Sequence, residues 1–142
     1  MTREPIYAAL LAKLSAAAGF ATASRRFKMW TEVSPPDMPA LFLLQKDEIA
    51  ATVPGLPTVW TIQCEAVLYA DLDGDPYAAA SSVINPLLDA IEAALAPSPA
   101  TGNKQTLGGL VQHCVIAGAI VIDEAINGDV SIARIPIEIK PA

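Results

Sequence analysis

Trp60, Ile62, Cys64, Ala66 and Leu68 are apolar at every second position, and only an extended strand can gather such a set on one side. Thr61, Gln63, Glu65 and Tyr69 lie between and beyond them, which predicts a strand over 58–70 with one dry and one wetter face. Such alternation suits an antiparallel neighbour, because parallel strands are usually apolar on both sides. Two other stretches carry the helical period instead. Ile84, Leu87, Leu88, Ile91 and Leu95 form a core stripe on a helix expected over about 76–96. Ile6, Leu10 and Leu14, with Tyr7 and Leu11 alongside, form a second stripe. Thr2 suits a cap for that helix, Pro5 its first turn and Gly19 its end. Ala21-Thr22-Ala23 resembles the cleavage site of a secretory leader, but Glu4 offsets Arg3 and Lys13 interrupts the apolar run, so a folded amphipathic helix is the better reading. No run reaches the roughly 18 uncharged apolar residues of a membrane-spanning helix.

The remaining segments complete the expected order. Residues 21–30 read as a strand with a basic middle, Arg25, Arg26 and Lys28. Ser34 to Pro39 is a proline-locked turn, and 40–45 a short apolar strand. Residues 46–57 are a loop or the tip of a long hairpin. In the second helix Asp75 suits a cap and Pro76 the first position, while Pro86 predicts a kink or a restart capped by Asn85. Pro97-Ser98-Pro99 stops it, and 100–104 read as a flexible loop. Gln105 to Val111 is a glycine-broken lead-in to a long apolar strand over 110–122, where Gly118 predicts a bulge or a close backbone contact. Asn127-Gly128 is a hairpin turn, and 129–140 alternate as a closing strand. Pro136 marks that strand as an edge, or as one whose amide faces away from a partner. The fold class is α+β: one domain over residues 1–142, an antiparallel or mixed sheet of about five strands with two helices on one face, in the order α-β-β-β-α-β-β.

Composition narrows the function classes. Of 142 residues 53% are hydrophobic and 17% charged, against about 25% charged in an average soluble domain. Some apolar surface is therefore expected to face a neighbour. A net charge of −6 argues against a dedicated nucleic-acid reader, which needs a basic footprint. Cys64 and Cys114 fall in apolar runs and read as buried thiols. His113 is the single histidine and, as a strand neighbour of Cys114, points to the opposite face, so no zinc site is expected. Asp71 to Pro76 looks like a calcium loop, but Pro76 stands where glycine is needed and Ser82 where the bidentate acid belongs. Asp89 and Glu92 read as a solvated helix face. No catalytic, cofactor-binding or metal-ligating residue is assigned and no cofactor is expected. Glu65, Tyr69, His113 and Asp123 are the candidates for a pocket beneath the second helix, and they share no motif spacing.

Five short stretches, in order, carry a resemblance. They are Ile6-Tyr7-Ala8-Ala9-Leu10-Leu11, Ser24-Arg25-Arg26 to Trp30, Ser34-Pro35 to Pro39-Ala40-Leu41-Phe42, Asn85 to Ile91, and Gln105-Thr106-Leu107-Gly108-Gly109-Leu110-Val111. Together, and with the chain's size and element order, they resemble the tail terminator (minor tail protein U-like) family of long-tailed bacteriophages and related prophages over most of the chain. The resemblance implies a small α+β subunit that closes into a homo-hexameric ring on the end of the tail tube. Such a ring stops tube elongation and offers a joining surface to the head-tail connector or stopper protein. It implies a place in the virion tail or neck after assembly in the host cytoplasm, no enzymatic step and no membrane. DNA would pass the opening without specific binding, and six chains of −6 would carry −36, which suits a channel that must not grip it. Ring closure needs two different faces of the subunit to meet. The candidates are Arg25, Arg26 and Lys28, the 46–57 segment with Lys46, Asp47 and Glu48, and the 97–104 loop with Asn103 and Lys104. Trp30 and Trp60 read as core. The alternatives are another neck or tail-completion protein and a small enzyme or ligand-binding domain.

Overall fold

The computed structural model of the protein describes residues 1–72, 77 and 79–142. Its elements are α1 (Arg3–Ser15), β1 (Thr22–Ser24), β2 (Ala40–Ala51), β3 (Val59–Asp71), α2 (Ser81–Ala94), β4 (Val111–Ile116), β5 (Val121–Asn127) and β6 (Val130–Pro141). The sheet runs β1-β2-β3-β6-β4, and β5 also pairs with β6. Since β3 occupies one side of β6 through Asp71↔Val130, β5 and β4 share the other side end to end. Only β1 and β2 are parallel. The class is α+β, with both helices on one face.

The alternating pattern of β3 does the work expected of it. Ile62, Cys64, Ala66 and Leu68 join Ile6, Tyr7, Leu10, Leu14, Ile84, Ile91 and Leu95 in the main core, which Ile135, Ile137 and Ile139 of β6 complete. Each fully buried aliphatic side chain contributes about 1.5–3 kcal/mol. Val67 and Tyr69 face the other way, into a smaller cluster where Phe27, Trp30, Val33 and Met38 cover Phe42 and Ile132. The Tyr69 hydroxyl donates to the Lys28 carbonyl at 2.7 Å, which pins this covering segment to the sheet.

Several expectations need correction. The strand over 21–30 stops at Ser24, whose hydroxyl accepts from the Arg26 amide and turns the chain off the sheet so that Phe27 and Trp30 reach the second cluster. The segment from Lys46 is not a loop: β2 continues to Ala51, with an irregularity between Gln45 and Glu48, so the long-hairpin alternative is the correct one. Thr2 precedes α1 but makes no side-chain cap bond. The second helix begins at Ser81 and runs unbroken through Pro86; the suggested cap at Asp75 and Pro76, and most of the rejected calcium loop, lie outside the described residues. The 97–104 loop is tied across itself, Ser98 N to Lys104 O at 3.1 Å and Asn103 N to Ser98 O at 2.9 Å, so it is a closed turn and not a loose one. Leu110 to Ile122 is two strands, β4 and β5, so three strands follow α2 where two were expected.

Pro136 explains that split. It lies on an inner strand, not an edge, opposite Glu65 of β3. Its carbonyl accepts from Ala117 N on the other side, so its missing amide also faces β4 and β5. Pairing fails there, and β4 ends at Ile116↔Ile137 before β5 resumes at Val121↔Arg134. Gly118 sits over the ring with φ +116°, where a Cβ would lie 3.2 Å from Pro136 Cγ. The close contact expected at Gly118 is present.

One residue locks α2 to β4. Gln105 donates its amide to His113 Nδ1 at 3.1 Å and accepts from Cys114 N at 2.8 Å. Its side chain donates to the carbonyls of Ala94 (3.4 Å) and Ala96 (3.2 Å) and accepts from Leu107 N (3.2 Å). Carbonyls at the end of a helix lack intrahelical partners, and Gln105 supplies them.

Candidate functional site

The eight residues singled out for an interface, seven charged residues and Asn103, are scattered and largely engaged within the chain. Arg25 pairs with Glu4 and lies 5.4 Å from the Tyr7 ring, tying the end of β1 to α1. That pairing holds the Glu4 carboxyl below its ordinary range and raises Arg25 further. Arg26 and Lys28 are exposed in the covering segment. Lys46 Nζ and Arg134 flank Glu65 at 4.0 and 3.7 Å. Glu48 accepts both oxygens' bonds from Arg3 Nε at 2.8 Å, while Asp47 is exposed beside it. Asn103 serves the closed turn with φ +59°, and the Lys104 carbonyl accepts from Thr101 Oγ1. No common site forms from these eight.

Nor do the four polar candidates for a pocket converge. Glu65 and Tyr69 lie on the face away from the helices, His113 is held by Gln105, and Asp123 pairs opposite Ile132 on β5. Among the described residues no three His, Cys, Asp or Glu side chains group together closely enough for a metal ion. A depression of about 700 Å³ between α1 and α2 is walled mainly by alanines, with Lys13 the one charged lining residue among those described. Cys64 and Cys114 are free and buried, and burial pushes both thiols up to about 12. No helix among the described residues is long and apolar enough to cross a membrane.

The distinctive surface is the β2–β3 hairpin. Pairing of β3 with β6 reaches only Ile62↔Ile139, whereas β2 and β3 continue together through Ile49↔Thr61, Ala50↔Trp60 and Ala51↔Val59. These residues form a two-stranded arm beyond the sheet body. Arg3 fastens its base through the Glu48 carboxylate and by lying 5.4 Å from the Trp60 ring centroid. Val53-Pro54-Gly55-Leu56 closes its tip: Leu56 N donates to Val53 O at 3.0 Å, and Gly55 takes φ +83°, which the second central position of a type II turn demands. From Ala51 to Val59 there is no charged residue. Ile49, Val53, Leu56 and Val59 are 51–65% exposed. Ile49 and Val59 share the face of Thr61, away from the helices. A lone two-stranded ribbon is marginal in water, and an exposed apolar one is a surface for another chain.

Sequence reasoning placed the first strand and tip of this arm within 46–57 and its second strand in the run over 58–70, but chose charged residues in it. The signal lay in the uncharged Ala51–Val59 run itself. No protein-family model matches this chain, and no curated protein matches it.

Proposed function

We propose that the protein is an assembly subunit of the tail-terminator kind from a long-tailed phage or prophage. Copies of it close into a hexameric ring on the end of the tail tube, halt tube growth and present a surface to the head-tail connector or stopper protein. DNA passes through the opening without specific binding. The observation that carries the proposal is the apolar arm, held out from the sheet with four large aliphatic side chains more than half exposed. Such a surface marks a site of contact with a neighbour. The ordered resemblance along the chain supplies the kind of assembly. In this reading the protein acts by contact and performs no chemical step.

Native mass measurement of the purified protein, alone and with tail tubes, tests the reading. A hexamer in solution, or on tube ends, is the expected result, with added protein fixing the length of growing tubes. Hexamers that bind finished tubes without limiting growth would mark another neck or tail-completion component instead. A stable monomer in both settings would overturn the proposal.

A further inference from the structure

We infer that the arm of one copy seats in a recess of the next copy, between the end of α2 and the β4–β5 break. The inference rests on the ring reading above and names the two surfaces through which the ring closes. The recess holds about 400 Å³ and is lined by Leu88, Leu95, Val115, Ile116, Ile120 and Ile135, with Glu92 its one charged lining residue. It lies beside the gap that Pro136 and Gly118 impose on the sheet edge. Ile120 stands at its rim, 40% exposed.

The chain thus offers an uncharged apolar projection on its β2–β3 side and an apolar hollow at the far edge, beyond β6. A contact between a projection and a hollow on different parts of one chain is heterologous, the kind that closes rings. Pairing arm with arm would leave every hollow uncovered. With almost no charge on either surface, the contact persists at high salt, where docking through surface ion pairs is screened.

Two single-cysteine variants test the seat, Leu56→Cys at the arm tip and Ile120→Cys at the recess rim. Both positions are exposed, and the native thiols are buried and unreactive. Mixed in equal amounts and oxidised with diamide, they should give the mixed disulfide at least tenfold over either homodimer. Leu56 homodimers as the main product would establish arm-on-arm contact and overturn the inference. So would a ring, shown by native mass, in which no cross-link forms. As an independent measurement, Leu56→Asp and Ile120→Asp should each abolish the hexamer at unchanged unfolding midpoint of the subunit. A hexamer that survives both substitutions overturns the seat and leaves the ring reading standing. Wild-type protein that is monomeric alone and on tube ends overturns both.

Discussion

The turn at 105–110 and the arm tip at 52–58 are built from the same materials and put to opposite uses. Each bends on glycine and each carries a leucine beside it. Leu107 is 6% exposed and Leu56 65%. Around Leu107 every hydrogen-bonding group of Gln105 is engaged, to His113, Cys114, Leu107 and the last carbonyls of α2. Around Leu56 the tip holds one turn bond and a 3.1 Å contact between the Thr52 and Thr58 hydroxyls. Leu107 even accepts a left-handed backbone, φ +50°, to reach the core, a conformation costly for a bulky residue. The first turn is therefore part of what holds the fold together, and the second is a local device for presenting side chains outward.

The sharpest way to break this contrast is to truncate both leucines. Leu107→Ala should lower unfolding free energy by about 2–5 kcal/mol, as for buried leucines generally. Leu56→Ala should change it by less than about 0.5 kcal/mol. Equal losses in denaturant titrations would erase the distinction. Next comes Gln105→Ala, expected to cost about 1–3 kcal/mol because it strips partners from the Ala94 and Ala96 carbonyls and the Leu107 amide.

Thiol chemistry sharpens the comparison further. At pH 8 a disulfide reagent should label Leu56→Cys rapidly while Cys64 and Cys114 stay silent until the chain unfolds. Their folded thiols are raised from 9.0 to about 12. A raised folded value means the native state holds protons that the unfolded state has released. Stability should therefore be full below pH 9 and fall as pH climbs from 9 toward 12. An alkaline titration of the thermal midpoint that stayed flat across that window would contradict the burial. A small effect is also expected at Arg3→Ala: under about 1 kcal/mol globally for an exposed pair, with faster amide exchange in the arm than at 105–110.

Much of the architecture was legible because periodicity reports burial directly. The two-residue alternation of β3 and the helical stripes of α1 and α2 each located a core face correctly. Of the two readings of Pro136, the edge strand was wrong and the unpartnered amide right, because a missing amide indicates only that no neighbour is bonded at that point; an interrupted neighbour satisfies it as well as an absent one. Arg25 was placed on a strand because sequence does not show the Ser24 side chain closing the turn, nor that Glu4 waits on α1 to receive it. The arm was half visible. Its turn residues stand out, but charge drew attention to Lys46, Asp47 and Glu48, whereas the aliphatic side chains become notable only once the structure shows that each is more than half exposed.

The interruption at Pro136 has a consequence beyond local pairing. An uncut, straight outer margin on a sheet this apolar would invite indefinite stacking of strands from other molecules, the beginning of fibres. Here the margin is cut into a six-residue and a seven-residue length, and the 105–110 segment already occupies the Cys114 amide on the first. A single imino acid thus leaves the outer margin of the sheet without one long, straight edge to extend.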